Sequence, residues 1–196
     1  MSLQDYRAFI ATKAHNDPET GLSDIPPLPE CLFPFQRDVV RWALRRGRAA
    51  LFAGTGLGKT LMALSWASAI HAATGGNVLI LTPLAVAAQF VREGTKFGIA
   101  VKQCRAADEV DPGITVTNYE KLQHFDLSKF VGVVLDESSI LKAYNGSTRS
   151  MLIEVCKDIP FRLAATATPA PNDFMELGNH AEFLGVLSYT DMPATF

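Results

Sequence analysis

With 196 residues, the chain suits one substantial core plus a small appendage. Its 48% hydrophobic and 19% charged residues exclude a disordered protein, and a formal net charge of -2 excludes an acidic tail. That charge also lacks the basic excess of a protein that grips nucleic acid unaided, so any polynucleotide contact must come from a local patch, from backbone amides or from another part of a larger machine.

Residues 2–14 suit a short helix, and residues 15–30 carry Pro18, Pro26, Pro27 and Pro29, which discourage helix and central strand and mark a linker. These first 30 residues form the expected appendage, and residues 31–196 form the main unit. Apolar positions over 35–46 recur at helical spacing. The run RAALFA reads as a short buried strand ending at a glycine-rich turn, and LMALSWASAIHAA reads as the following helix. The alternation continues with NVLILT as strand, LAVAAQFVREGTKF as helix, ITVTN and FVGVVLDE as strands, STRSMLIEVCKD as helix and FRLAATA as strand. Apolar strands separated by helices predict an α/β fold, a parallel sheet with helices on both faces. Nucleotide sites in such sheets lie at the carboxyl ends of the strands.

Residues 53–60 read AGTGLGKT, directly after one strand and directly before one helix, which is the context that the G-x-x-x-x-G-K-[ST] pattern demands. The backbone through Gly54, Thr55, Gly56, Leu57 and Gly58 would turn its amides toward phosphate oxygens, with the positive end of the next helix behind them. Lys59 adds a mobile cation for the terminal phosphates, and Thr60 offers a hydroxyl to Mg2+, which prefers oxygen ligands. Ala53 stands where the first glycine of the pattern is usual. The strand at 131–137 ends in Asp136 and Glu137, and two charges at the end of a buried strand need a reason. Magnesium bound to ATP supplies one: Asp136 would hold the ion, and Glu137 would orient and deprotonate the attacking water. Lys59, Asp136 and Glu137 are therefore the expected catalytic set. The scheme requires the strand ending at Glu137 to lie beside the strand feeding Gly54, so that one ion can meet both Thr60 and Asp136.

Six segments in order, LFPFQ, AGTGLGKT, LILTPLAVAAQF, TNYE, LDESS and TATPAPNDFMEL, resemble the first RecA-like lobe of a superfamily two helicase, of the Swi/Snf type or the phage DEAD-like type. The resemblance covers about residues 31–196. It implies that Gln36 reads the adenine edge, that Thr82, Thr117 and Asn118 meet a nucleic-acid phosphate, and that Thr166 and Thr168 couple hydrolysis to movement. It further implies a DNA-dependent ATP hydrolase, slow by itself, whose partners are nucleic acid, double-stranded DNA above RNA, and a second RecA-like lobe of a longer chain. Where the family usually completes the acidic motif with Ala-Asp or Ala-His, this chain has Ser138 and Ser139.

An ATP-binding switch without turnover and an RNA helicase lobe are the alternatives, and a small-molecule kinase leaves the Thr166 and TNYE segments without a task. His15, His71, His124 and His180 lack metal-ligand spacing and read as surface or capping residues, while Trp42 and Trp66 read as core. Lys142, Arg149 and the basic run RWALRRGR read as solvated helix faces. The cysteines Cys31, Cys104 and Cys156 give no disulfide framework, and no membrane span or signal peptide is legible, so a bacterial or phage-infected cytoplasm is the expected compartment.

Overall fold

A computed structural model describes residues 5, 19–142, 146–170, 172 and 174–188. The expected helix over 2–14 therefore lies outside the described residues, residue 5 apart. Five helices and six strands organise the rest: α1 (Pro34–Arg46), β1 (Arg48–Phe52), α2 (Lys59–Thr74), β2 (Asn77–Thr82), α3 (Ala87–Phe97), β3 (Val101–Gln103), β4 (Ile114–Asn118), β5 (Phe130–Asp136), α4 (Gly146–Cys156), β6 (Phe161–Thr166) and α5 (Leu177–Leu184). All strands are parallel, in the order β1-β6-β5-β2-β4-β3. This is the α/β sheet that the alternating apolar runs predict.

The two-residue period of a strand divides the core between the faces. Ala49, Leu51, Val78, Ile80, Val116, Val134, Leu163 and Ala165 pack with α1, α2 and α3. Leu79, Leu81, Val133, Leu135 and Ala164 point the other way, onto α4, α5 and the short 3-10 turns around Leu122 and Leu127. Coverage of both faces explains why β5 reads as a nearly unbroken apolar run. α2 is apolar around much of its circumference, and Met62, Leu64, Trp66 and Ile70 are fully sequestered.

Several boundaries differ from the sequence expectation. α3 starts at Ala87 rather than at residue 84, because Pro83 opens a turn closed by the Val86 amide donating to the Pro83 carbonyl at 2.9 Å. β3 and α5 were not expected; β3 has only three residues, too few to show a period. The proline-rich stretch over 19–30 is irregular, yet it is held: the amides of Gly21 and Leu22 donate to Arg45 and Leu44 at the end of α1. Leu22, Ile25 and Leu28 pack against the core. Trp66 is buried, but Trp42 is 49% exposed on the outer side of α1, which corrects its assignment to the core.

The sheet order corrects one spatial expectation. β5 does not lie beside β1, because β6 stands between them. The register nevertheless keeps the two ends level: Ala165 pairs with Leu51 on one side and with Asp136 on the other. Backbones two strands apart are separated by roughly 10 Å, a gap that side chains converging from both strands span.

Candidate nucleotide site

The loop between β1 and α2 turns at Gly56 and Gly58, with φ of 82° and 78°, a region that side chains disfavour. At Gly58 there is a second reason for glycine, since an added Cβ would come within 2.4 Å of the Gln36 side-chain nitrogen. Gln36 is buried, its Nε2 donates to the Leu57 carbonyl at 3.0 Å, and its Oε1 accepts from the Phe33 amide at 3.0 Å. Its amide thus ties the entry of α1 to the loop. Phe33 and Phe35 lie beside it with nearly parallel rings, centroids 6.3 Å apart, and both are exposed. Gly54, Thr55, Gly56 and Leu57 face solvent, and the Lys59 ammonium donates to the carbonyls of Ala53 and Gly54 at 3.0 and 3.3 Å. Thr60 follows in the first turn of α2, where the unsatisfied amides of a helix start gather.

Asp136, the last residue of β5, is 6% exposed. Burial pushes its pKa up to about 6, Glu137 adds to the rise, and the hydrogen bond from Thr82 together with the Lys59 charge opposes it. The Thr82 hydroxyl donates to Oδ2 at 3.1 Å, and the Tyr119 hydroxyl donates to the Asp136 carbonyl at 2.8 Å. Glu137 turns out of the strand with φ of 52°, and its Oε2 accepts from the Thr166 hydroxyl at 3.1 Å. Thr166 joins three parts of the site. Its carbonyl accepts from the Ala53 amide at 3.2 Å, and its hydroxyl also accepts from the Thr168 amide at 3.1 Å.

Among the described residues no group of three or more His, Cys, Asp or Glu side chains is placed to hold a metal ion by itself. The oxygens that the sequence assigns to an ion are the Thr60 hydroxyl, at the start of α2, and the Asp136 carboxylate, at the end of β5. Hard oxygen donors in that number fit magnesium, which keeps waters and takes substrate phosphates as its other ligands.

The three expected nucleic-acid contacts are covered. Thr82 and Thr117 are 0% and 1% exposed, the Thr82 hydroxyl is engaged by Asp136, and the Asn118 side chain donates to Glu120. These residues stand at the carboxyl ends of β2 and β4, and their hydroxyls and amide turn inward. His180 needs a correction as well: it is 3% exposed, and its Nε2 lies 2.9 Å from the Ser138 hydroxyl. The signal was legible in the spacing of His180, Phe183 and Leu184, which places the ring on the apolar side of a helix. Asn172 donates to Glu176 at 3.0 Å in the loop before α5.

A phosphate loop after an edge strand, and an acid pair ending a strand two places away, define a nucleotide-binding α/β domain. The family model for the DEAD/DEAH box helicase matches residues 33–177, and the chain belongs to that family. Solved structures agree on the fold. The Sulfolobus solfataricus SWI2/SNF2 ATPase core in complex with dsDNA matches with a TM-score of 0.70 and 22% identity, over 86% of this chain and 39% of that one. The UvsW helicase from bacteriophage T4 matches with a TM-score of 0.65 and 17% identity, over 96% of this chain and 66% of that one. The Pyrococcus furiosus Hef helicase domain matches with a TM-score of 0.61 and 19% identity, over 77% and 35%. The chain therefore spans about two fifths of the SWI2/SNF2 core. A search of the curated proteins gives no match. No helix among the described residues is long and apolar enough to cross a membrane.

Proposed function

We propose that residues 31–196 form the ATP-binding lobe of a DNA-dependent ATPase motor, which works with a second lobe of a longer chain and moves along duplex DNA. The carrying observation is the Thr166 junction, which ties the phosphate loop through Ala53 and the acid pair through Glu137 into one hydrogen-bonded unit. A passive nucleotide holder has no need for that link.

In this reading the amides of Gly54 to Gly58 and the start of α2 cradle the phosphates, while Lys59 leaves its loop carbonyls for the terminal phosphate. Gln36 meets the adenine edge with its remaining N–H, next to Phe33 and Phe35. Magnesium, when bound, would be held by Thr60 and Asp136 and would neutralise charge building on the phosphates. Glu137 orients the attacking water and takes its proton, with its carboxylate steered by Thr166. Thr168 shares that hydroxyl, so a change at Glu137 reaches the segment after β6. Contact with DNA falls to backbone amides at the strand ends near Thr82 and Asn118, since those side chains are covered and the net charge of -2 gives no general basic surface. The likeness to a SWI2/SNF2 core favours duplex DNA over RNA. Residues 1–30 form an appendage, and the bacterial or phage-infected cytoplasm is the proposed compartment.

Magnesium-dependent ATP binding and turnover, measured with and without duplex DNA, single-stranded DNA and RNA, test the proposal. Lys59→Ala should weaken ATP binding at least about tenfold, and Glu137→Gln should bind ATP normally while cutting single-turnover hydrolysis by about a hundredfold or more. A parent protein that binds ATP but hydrolyses it no faster than Glu137→Gln is a switch and not a motor lobe.

A further inference from the structure

The acid pair and the phosphate loop are joined directly through Thr166, but a second connection runs behind them. His180 leaves α5 and enters the space between β1 and the turn after β5. On one side its Nε2 lies 2.9 Å from the Ser138 hydroxyl, and both residues are buried. On the other side the imidazole meets the ring of Phe52, centroids 5.1 Å apart and planes at 86°. Ser138 is the residue directly after Glu137, and Phe52 is the residue directly before the loop that starts at Ala53. Phe52 also pairs in register with Thr166, whose hydroxyl holds Glu137. The contacts therefore close a ring: Phe52, Thr166, Glu137, Ser138, His180 and back to Phe52.

We propose that His180 is a positioning residue that fixes the Glu137 turn against the start of the phosphate loop. This rests on the reading of Glu137 as the group that aligns water. Among the described residues Glu137 is the one non-glycine with a positive φ. Such a conformation persists when its surroundings over-determine it. Of the polar contacts holding this turn, those of Tyr119 to Asp136, Ile140 to Glu137 and Thr166 to Glu137 arise within the sheet ends and the turn itself. His180 brings in α5, a helix from outside the sheet. That helix is anchored, since Phe183 is fully buried and its carbonyl accepts from Arg162 Nη1 at 2.5 Å. A side chain on a fixed element is what precise placement of a base requires. Burial holds the imidazole pKa below its ordinary value, so the ring is neutral and keeps one donor and one acceptor nitrogen.

The test compares the full chain with Ser138→Ala, His180→Leu, the double variant and His180→Gln. Hydrogen exchange at the Ala53 and Ile140 amides, bonded to Thr166 and Glu137 respectively, reads the brace without any turnover. Fluorescent ATP binding and single-turnover hydrolysis read its consequence. Each of Ser138→Ala and His180→Leu should raise exchange at both amides and slow hydrolysis by about tenfold, with ATP affinity held within about twofold. The double variant should be no worse than either single one, and His180→Gln, whose amide reaches about as far as Nε2 and so can still meet Ser138, should recover most of the rate. Unchanged exchange overturns the proposal whatever the turnover, as does raised exchange with an unchanged rate. Rate losses that multiply, or a uniform loss of affinity and melting temperature, reduce His180 to a packing residue and overturn it too. If Glu137→Gln hydrolyses as fast as the parent, the motor reading fails and the catalytic part of this proposal falls with it, while exchange still reports on the brace. Should His180→Leu fail to fold, the pair Ser138→Ala and His180→Gln, which disturbs fewer packed atoms, carries the same comparison.

Discussion

Replacing Asp136 by asparagine should make the nucleotide-free protein more stable while removing its chemistry. Burial lifts the Asp136 pKa from 3.8 to about 6, so at neutral pH the fold holds a carboxylate in a place that disfavours its charge. A gap of about two pKa units corresponds to about 3 kcal/mol of destabilisation once the group is ionised in both folded and unfolded chains. Between those two pKa values the folded chain binds a proton that the unfolded chain has lost. Lowering the pH through that window therefore stabilises the fold, and above about pH 6 the cost stays at its full value. Asp136→Asn keeps an oxygen for the Thr82 hydroxyl but adds an N–H group in need of an acceptor, which takes back about 1 kcal/mol. The expected gain is thus about 2 kcal/mol near pH 8, and it shrinks by about 2 kcal/mol on going down to about pH 4. Urea unfolding followed by tryptophan fluorescence reports it, because Trp66 is fully buried and Trp42 half exposed. Subtracting variant from parent at each pH removes the other carboxyls. A difference that stays constant from about pH 4 to pH 8, or a parent that is the more stable protein near pH 8, would refute the reasoning.

Gly58→Ala combines a positive φ with the approach to Gln36, so it should cost about 1–2 kcal/mol or more and lower both melting temperature and ATP affinity; an alanine variant that melts with the parent would show that the loop relaxes freely. Thr166→Val keeps the shape but loses the hydroxyl that bonds Glu137 and Thr168, so single-turnover hydrolysis should fall about tenfold or more with ATP affinity nearly unchanged. Equal loss of binding and rate would place Thr166 with the phosphate cradle instead.

The phosphate loop was legible because its chemistry is local: two glycines at positive φ, a lysine and a threonine must follow one another between a strand and a helix. β2 and β4 were legible to the residue, since β2 is a run of four apolar residues between Asn77 and Thr82, and β4 is a run of β-branched residues ending at Asn118. The order of the strands was not legible. Nothing in the spacing of residues 48–52, 130–136 and 161–166 says that the last of these enters between the other two, because strand adjacency is decided by which apolar faces meet. The inward turn of Thr82, Thr117 and Asn118 escaped for a related reason. A polar residue at a strand end can cap, bond a neighbouring strand or face solvent, and here the carboxylate of β5, 54 residues later, captures Thr82. Ser138 and Ser139 looked like a break in the acidic motif, yet the link to Thr166 is made by Glu137 and the next link by Ser138 to His180.

The position of β6 has a consequence for how the molecule comes to exist. Among the described residues β1 pairs with β6 and with no other strand, whereas β5, β2, β4 and β3 pair among themselves. Of the six described strands the ribosome releases β1 first and β6 last, so a four-stranded sheet can assemble while β1 still waits for its neighbour. The proposed nucleotide site is therefore closed by the last of these six strands to emerge, and a chain halted before Phe161 would carry every residue of the phosphate loop while β1 lacks the strand that joins it to the sheet.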